Sequence, residues 1–270
     1  MNPYIRLPKV QVVNGRQELI VNRCRDKKVL HLGCVDVGLL SERFPSGGLL
    51  HQQLAAVAGE LWGVDIDTDG VSFLRSQGFN NLVVGDICKL DEIEDLKGKH
   101  FDIIIASEVI EHLQNPGQFL NEVKTFMRSG KTELIVTLPN AFRIDTLIWL
   151  LRGVEYIHPD HNYWFSYHTA TNLIRKGGLE IDEMYVYSFQ PIGILPKKVR
   201  NFFNKKKENG LETIKLETAT TPSWSVPFLK RASAYFWSLP KRLVVSFLYR
   251  RTPFWADGII IVAKAAHNVV

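Results

Sequence analysis

Two carboxylates and an imidazole lie close together in the segment Phe101–Leu113, FDIIIASEVIEHL. Its first residues, Phe101–Ala106, are almost all apolar and predict a buried strand that runs directly into a helix. Glu108 and Glu111 are three positions apart, and Glu108 and His112 are four apart, so a helix would place all three on one face. Such a group can bind a divalent ion or exchange a proton with a substrate. The segment therefore indicates an enzyme.

These side chains need a scaffold, and the rest of the chain predicts a sheet that could hold them. Apolar runs bounded by turn residues alternate with helical patterns from residue 28 onward, which is typical of a doubly wound, mostly parallel α/β sheet. Ligands of such sheets bind beyond the carboxyl ends of the strands, where Glu108 would lie. The predicted strands are Lys28–Leu32, Glu60–Asp65, Leu82–Val84, Phe101–Ala106, Thr132–Leu138, Ile181–Ser188 and Gly258–Ala263. The predicted helices are Leu49–Ala58, Asp69–Ser76, Pro116–Met127, Ala141–Leu151 and Thr169–Gly177.

The first three predicted strands each end in residues that suit a nucleotide-like ligand. Gly33 and Cys34 follow the first strand, and the glycine lets the backbone approach a ligand closely. The second strand ends at Asp65, whose carboxylate can accept hydrogen bonds from both hydroxyls of a ribose. Asp86 follows the third strand and can accept a hydrogen bond from the exocyclic amine of adenine. Three such strand ends at one edge of the sheet predict a cofactor site.

The ordered series VLHLGC, LWGVDID, VVGDI, FDIIIASEVIEHL and IVTLPNAF resembles the motifs of class I S-adenosylmethionine-dependent methyltransferases. The resemblance covers roughly residues 28–190, with Gly258–Lys264 as a last strand. It implies a Rossmann-like, doubly wound seven-stranded sheet, mostly parallel, whose antiparallel last strand lies between strands five and six. Residues 1–190 would form the catalytic domain, residues 191–256 an insertion, and residues 257–270 the last strand of the catalytic domain.

The resemblance also implies where S-adenosylmethionine binds. By analogy, Asp65 binds its ribose, Asp86 its adenine side and Gly33 its methionine end. Ser107 and Glu108 would lie near the methyl group that is transferred. The cofactor-binding residues implied in this way are Gly33, Cys34, Asp36, Asp65, Ile66, Asp86, Ile87 and Ser107.

Two residues near the first strand differ from what is usual in the family. The family commonly has an acidic residue where His31 stands and a second glycine where Val35 stands. Val35 carries a side chain that could crowd the methionine end of the cofactor, and Asp36 could replace the missing carboxylate. A domain that keeps the fold without catalysing a reaction is therefore an alternative.

The order Glu108-x-x-Glu111-His112 resembles a narrower group, the methyltransferases that use a divalent ion, notably small-RNA 3′-terminal 2′-O-methyltransferases. Their fourth ligand is a histidine on a later loop, which His161 or, as a substitute, His158 offers here. The resemblance implies Mg²⁺ or Mn²⁺ bound by Glu108, Glu111, His112 and His161. The same string also occurs in methyltransferases of small metabolites without a metal role. His112 or His161 would then be the general base, because imidazole titrates near neutral pH.

The net charge of +5 is unevenly distributed along the chain. Residues 191–256 contain 13 Lys and Arg against 3 Asp and Glu, a balance of +10, and the rest contains 20 against 25, a balance of −5. Aromatic residues interleave with the basic ones, which suits an anionic membrane surface or a nucleic acid. The helical patterns of this insertion could equally pack on the sheet or cover the active site.

The whole-chain features fit an ordinary globular protein, with 46% hydrophobic and 23% charged residues. The chain shows no signal-peptide pattern, no run of about 18 apolar residues, and three cysteines without metal-ligand spacing. We therefore expect a cytoplasmic protein, with peripheral membrane contact through the insertion as an option. The sequence predicts an S-adenosylmethionine-dependent O-methyltransferase acting on a small-metabolite, saccharide or lipid-linked hydroxyl. A metal-assisted RNA ribose 2′-O-methyltransferase is the main alternative.

Overall fold

The computed structural model of the protein describes residues 4–189 and 252–266. Most of the predicted insertion, residues 191–251, lies outside the described residues. Its helices and its boundaries with the catalytic domain therefore stay predictions. Among the helices of the described residues, none is both long enough and apolar enough to cross a membrane.

The described residues form an eight-stranded sheet in the order β1-β7-β8-β6-β5-β2-β3-β4. Neighbouring strands are parallel, except that β8 is antiparallel to both β6 and β7. This confirms the predicted doubly wound Rossmann-like sheet, with its antiparallel last strand between the fifth and sixth predicted strands. The strands are β1 (Gln11–Asn14), β2 (Lys28–Leu32), β3 (Glu60–Asp65), β4 (Leu82–Val84), β5 (Ile103–Ser107), β6 (Glu133–Pro139), β7 (Leu179–Ser188) and β8 (Gly258–Ala265).

The edge strand β1 makes the sheet eight-stranded rather than seven-stranded, which corrects the expected strand number. It pairs in parallel with β7, with Gln11 opposite Tyr185 and Asn14 opposite Ser188. The strand has four residues and neither end of it is buried. Such a short segment carries too little alternation to predict a strand, and its pairing partner lies far away along the chain.

The five predicted helices are present, with ends that differ by a few residues, and two short helices were not predicted. The helices are α1 (Gln17–Arg23), α2 (Leu40–Arg43), α3 (Leu50–Ala55), α4 (Thr68–Ser76), α5 (Pro116–Thr125), α6 (Ile144–Leu150) and α7 (Tyr167–Lys176). The chain also makes 3-10 turns at Phe44–Ser46, Leu90–Glu92, Glu94–Leu96, Ile110–His112 and Pro253–Trp255. The unpredicted helices are α1 and α2, and both are short enough for tertiary contacts to decide their formation.

Side-chain caps fix the starts of the longer helices. Asp67 accepts a hydrogen bond from a backbone N–H at the start of α4, and Asn115 does the same at the start of α5. At the start of α7, Ser166 and Thr169 form a reciprocal capping box. Each cap satisfies a backbone donor that the first helical turn leaves unpaired.

The middle of the sheet forms the core and supports the loops at its carboxyl edge. The strands β2, β5, β6 and β8 consist almost entirely of buried residues. Continuous apolar strands are typical of sheets that are covered on both faces. The residues that follow β2 to β6 are therefore attached to a closely packed support.

Candidate active site

The carboxyl ends of β2, β3 and β4 lie side by side because these strands are parallel neighbours. Asp65 at the end of β3 is buried, and its carboxylate accepts hydrogen bonds from the N–H groups of Val35 (2.7 Å) and Asp67 (3.0 Å). Burial raises the pKa of Asp65, and these N–H groups oppose the rise. Each carboxylate oxygen keeps a lone pair for one further donor. Asp65 is thus held rigidly and can still bind two hydroxyls.

The turn after β2 has room only for glycine. Gly33 has a φ of +69°, in the left-handed region that glycine favours. A Cβ on Gly33 would overlap Cγ2 of Val109, so the loop after β5 packs directly against this turn. Cys34, the next residue, is buried, and burial raises the pKa of its thiol. The structure therefore joins the loops after β2 and β5.

The other predicted cofactor residues lie on the same edge in different surroundings. Ile66 follows Asp65 and is 74% exposed, whereas Ile87 is buried. Asp86 follows β4 and accepts a hydrogen bond from the N–H of Cys88 at 2.8 Å. If Asp65 binds the ribose of a nucleotide-like ligand, the exposed side chain of Ile66 could cover the base attached to that ribose.

His31, which differs from the family pattern, and Asp36, the suggested replacement for the missing carboxylate, are both engaged within the protein. Asp36 forms an ion pair with Arg43 of α2. His31 of β2 is buried against His51 of α3, with 3.2 Å between the two Nδ1 atoms and nearly parallel rings. Burial lowers the pKa of His51 to about 4 and that of His31 well below its ordinary value, the latter with help from His51. Both rings are therefore neutral at neutral pH.

The prediction that a helix carries Glu108, Glu111 and His112 on one face is wrong. In the structure, Glu108 has a left-handed φ of +57°, and the next regular element is the 3-10 turn Ile110–His112. The N–H of Glu108 donates to both the backbone oxygen and Oγ1 of Thr137 in β6, at 3.1 Å each. These sheet-like bonds outweigh the local helical pattern, because tertiary contacts readily override propensity.

A chain of hydrogen bonds runs from Arg16 to Glu108. Nε of Arg16 donates to Oγ of Ser107 at 3.0 Å, and that hydroxyl lies 3.0 Å from Oγ1 of Thr137. Thr137 Oγ1 donates to Oε1 of Glu108 at 2.8 Å, and the hydroxyl of Tyr187 donates to the same oxygen at 2.8 Å. Sequence reasoning missed Arg16, Thr137 and Tyr187, because each lies far from the motif in sequence and only the fold brings them together.

Arg16 and Tyr187 also contact each other through their side chains. The guanidinium of Arg16 lies over the rings of Tyr187 and Phe189, at 5.6 and 5.4 Å from their centroids. Burial alone would lower the pKa of Arg16, but the charge of Glu108 and other nearby acids raises it above its ordinary value. Tyr187 also lies opposite Gly258 of β8, where a Cβ would overlap its ring.

Glu111 is fully buried, and neither of its carboxylate oxygens has a hydrogen-bond partner among the described residues. Burial, together with the charge of Glu108, raises the pKa of Glu111 far above its ordinary value. Nε2 of His161 lies 4.0 Å from Oε1 of Glu111. Burying a carboxyl group without a hydrogen-bond partner lowers the stability of the fold. Groups of this kind are therefore often found at functional sites.

Three histidines, one of them His161, form a group close to Glu111. Ring nitrogens of His112, His158 and His161 all lie within 4.8 Å of one another, the one such group found among the described residues. Burial and the neighbouring imidazoles lower the pKa of His161 to about 4 and also lower that of His112. The structure thus brings the predicted ligands His112 and His161 together with His158 and Glu111, whereas Glu108 is bonded to Thr137 and Tyr187.

The loop that carries His158 and His161 is tied to the motif after β5. The backbone N–H of Asn162 donates to the backbone oxygen of Glu111 at 2.8 Å. The side-chain amide of Asn162 donates to the backbone oxygen of His112 at 2.7 Å. The hydroxyl of Tyr163 donates to the backbone oxygen of Gln114 at 2.9 Å. Two distant segments of the chain therefore form one unit.

A cleft of about 400 Å³ opens beyond the ends of β5 and β6. Glu108 and His161 lie in its wall, and most of the remaining wall is aromatic or apolar. Such a mixture is typical of small-molecule sites, where a few polar groups orient a ligand in an apolar pocket. The aromatic residues that line the cleft are Tyr156, Tyr163, Trp164, Tyr187 and Phe189.

Comparison with known proteins relates the chain to methyltransferases. Residues 45–134 match a family model described as a methyltransferase domain. The ubiquinone biosynthesis O-methyltransferase of Glaesserella parasuis serovar 5 is 26% identical over 199 residues, which cover 68% of this chain and 75% of that protein. The corresponding protein of Burkholderia orbicola is 23% identical over 176 residues, covering 62% of this chain and 70% of that protein.

Solved structures share the fold at low sequence identity. The small RNA methyltransferase HEN1 is 15% identical with a TM-score of 0.51, covering 94% of this chain and 25% of that protein. A possible histamine N-methyltransferase from Thermotoga maritima is 14% identical with a TM-score of 0.50, covering 93% of this chain and 88% of that chain. These similarities concern the fold alone.

Proposed function

The chain contains a class I S-adenosylmethionine-dependent methyltransferase domain, and we propose that it methylates a hydroxyl oxygen of a small aromatic acceptor. The observation that carries the proposal is the position of the cleft. Glu108 lies in the cleft wall, and it directly follows Ser107 at the end of β5, next to the strands whose ends suit the cofactor. The relatives named as O-methyltransferases support oxygen as the methylated atom.

The residues at the ends of β2, β3 and β4 fit S-adenosylmethionine. Asp65 is buried, fixed by two backbone N–H groups and still able to accept two ribose hydroxyls. Gly33 allows the tight turn after β2 to pack against Val109, and Ile66 offers an exposed apolar surface for the adenine ring. When bound, the cofactor would supply an electrophilic methyl group on a sulfonium, whose sulfur would leave as a neutral thioether. The protein must then position the acceptor oxygen and receive its proton.

The cleft favours a small, flat acceptor with a hydroxyl group. Its aromatic walls can stack on a ring, and its volume of about 400 Å³ is within the usual range for small-molecule sites. The carboxylate of Glu108 or the neutral ring of His161 would accept the hydroxyl proton while the new bond from carbon to oxygen forms. His161 is available for this because its lowered pKa keeps it unprotonated at neutral pH.

A test of the methylated atom uses two acceptors of the same shape. The protein is incubated with labelled S-adenosylmethionine and catechol, 1,2-diaminobenzene or an RNA oligonucleotide, each in a separate reaction, and the products are identified by mass spectrometry. We expect O-methylated catechol and no methylated diamine. Methylation of the diamine alone would contradict oxygen as the target, and methylation of RNA instead of either compound would favour a ribose 2′-O-methyltransferase.

Metal assistance is a second candidate feature, favoured by the histidine group. Three imidazoles resemble the ligands of an ion such as Zn²⁺ more than those of Mg²⁺ or Mn²⁺, which prefer oxygen, and the carboxyl of Glu111 lies 4.0 Å from His161. A bound ion would lower the pKa of an acceptor hydroxyl. In this arrangement Glu108 would not bind the ion, whereas the resemblance in sequence implied that it would.

Calorimetric titration with Zn²⁺ and with Mg²⁺ tests this arrangement without an acceptor. We expect one Zn²⁺ per chain, weak or no Mg²⁺ binding, and loss of Zn²⁺ binding in His161→Ala. His168→Ala is the matched control, because His168 is exposed and bonds only within α7. Equal Zn²⁺ binding by wild type and His161→Ala would eliminate the site.

A further inference from the structure

We infer that Thr137 and Tyr187 are positioning residues that hold Glu108 in the orientation needed to receive the acceptor proton. The inference rests on the proposed function and adds two residues to it. Neither residue belongs to the motif after β5: Thr137 lies in β6 and Tyr187 in β7. Each reaches Glu108 only because the sheet places the ends of these strands near one another.

The first argument is the way in which the two donors share one oxygen. Thr137 and Tyr187 both donate to Oε1 of Glu108, each at 2.8 Å. Two donors occupy both lone pairs of that oxygen. Within residues 4–189 and 252–266, no hydrogen bond reaches Oε2. Oε2 is therefore the oxygen of Glu108 that can accept a proton from a molecule in the cleft.

The second argument is the direction of the hydrogen-bond chain. Thr137 has a single hydroxyl proton and donates it to Glu108, so the proton shared by Thr137 and Ser107 must come from Ser107. Ser107 in turn accepts from Nε of Arg16. All donors thus point from the cation of Arg16 toward the carboxylate of Glu108, and hydrogen bonds aligned in this way strengthen one another.

The third argument is the backbone of Glu108. A φ of +57° is unfavourable for a residue with a side chain and persists only where the surroundings enforce it. Two bonds from the N–H of Glu108 to Thr137 fix the backbone, and Thr137 also fixes the side chain. The same threonine thus determines both where the residue stands and where its carboxylate points.

Removal of the tyrosine hydroxyl tests the inference. We expect Tyr187→Phe to lower kcat for catechol roughly 10- to 100-fold, which is typical for a misplaced catalytic group, with unchanged affinity for S-adenosylhomocysteine. Tyr185→Phe is the matched control: it lies two residues away on β7, and its hydroxyl bonds to Glu183. A Tyr187→Phe variant as active as Tyr185→Phe would overturn the inference.

A double-mutant cycle separates positioning from a general effect on the fold. In a Glu108→Gln background, Tyr187→Phe should cause no further loss of kcat, because its effect passes through the carboxylate. Additive losses would overturn the inference. Thr137→Val should behave like Tyr187→Phe, and Thr137→Ser, which keeps the hydroxyl, should restore most of the activity. Should Tyr187→Phe fail to fold, the two Thr137 variants decide the question.

A structural readout keeps this inference distinct from the proposed function. If wild type methylates no hydroxyl, the proposed function fails, and crystal structures with bound S-adenosylhomocysteine still decide whether the two residues position Glu108. We expect the Glu108 carboxylate to move by more than about 0.5 Å in Tyr187→Phe, beyond the tolerance of a catalytic group. An unmoved carboxylate would show that Tyr187 does not hold it.

Discussion

The proposed active site has two halves that are built differently: a cofactor half, proposed to bind S-adenosylmethionine, and an acceptor half around Glu108, proposed to bind the acceptor. In the cofactor half, at the ends of β2 to β4, Asp65 is fixed by the N–H groups of Val35 and Asp67, all near neighbours of strand ends. In the acceptor half, Glu108 depends on Thr137 and Tyr187, which lie on other strands. The cofactor half is held by backbone groups that hardly depend on sequence. The acceptor half is held by side chains, so single substitutions can alter it.

The strongest test of the difference between the two halves is Asp65→Ala, for which we expect the largest loss of cofactor affinity. The substitution removes an acceptor for two ribose hydroxyls, and a hydrogen bond to a charged group contributes about 1.5–3 kcal/mol. Calorimetry with S-adenosylhomocysteine should therefore show at least about a hundredfold weaker binding. Asp69→Ala, an exposed aspartate in α4, should bind like wild type. Normal binding by Asp65→Ala would mean that this half does not hold the ribose.

A second prediction concerns the stability of the fold near the cofactor half, where His31 and His51 are buried against each other, and how it depends on pH. The unfolded chain protonates His51 near its ordinary pKa of 6.5, whereas the folded protein does so only near 4. Between pH 4 and 6.5, the unfolded chain therefore binds a proton at His51 that the folded protein does not bind. The free energy of unfolding should fall as pH decreases from about 6.5 toward 4. The loss attributable to His51 is roughly 3 kcal/mol.

Urea unfolding at several pH values measures this effect. The decline between pH 6.5 and 4 should be shallower in His51→Gln, and His168→Gln, which changes an exposed ring, should keep the wild-type decline. An identical pH dependence in wild type and His51→Gln would show that the buried histidine pair does not cause the loss of stability.

The smallest expected effect lies in the acceptor half. Asn162→Ala removes the amide that bonds to the backbone oxygen of His112, at a cost of about 1 kcal/mol. We expect a modest rise in KM for catechol, unchanged affinity for S-adenosylhomocysteine and a slightly lower Tm. The control Asn172→Ala removes an amide that bonds to His168 within α7. A weakened cofactor affinity in Asn162→Ala would show that the two halves are not independent.

The difference between the halves also explains which features could be predicted from the sequence. The strands β2, β3 and β4 were predicted with their observed bounds, because a buried parallel strand is a continuous apolar run between turn residues. Asp65 and Asp86 could be identified because they directly follow such runs. Whether these residues bind the cofactor stays a prediction.

The acceptor half shows where sequence reasoning failed. Val109, Ile110 and Leu113 have helical spacing, and nothing local reveals that Thr137 draws Glu108 into a left-handed conformation. Arg16 was overlooked because it lies far from the motif in sequence, at the start of the short, unpredicted helix α1. His161 was identified by resemblance, whereas its contact with His158 and Glu111 required the folded loop.

The insertion of β8 between β6 and β7 has a consequence for how the protein is made. Tyr187 packs over Gly258, which belongs to a strand that leaves the ribosome after every other strand of the sheet. The strands β2 to β6 adjoin one another without β8, whereas β7 is joined to them only through β8. Tyr187 can reach its place beside Glu108 only after β8 has been translated. The surroundings of Glu108 would thus be the last part of the proposed site to be completed during synthesis.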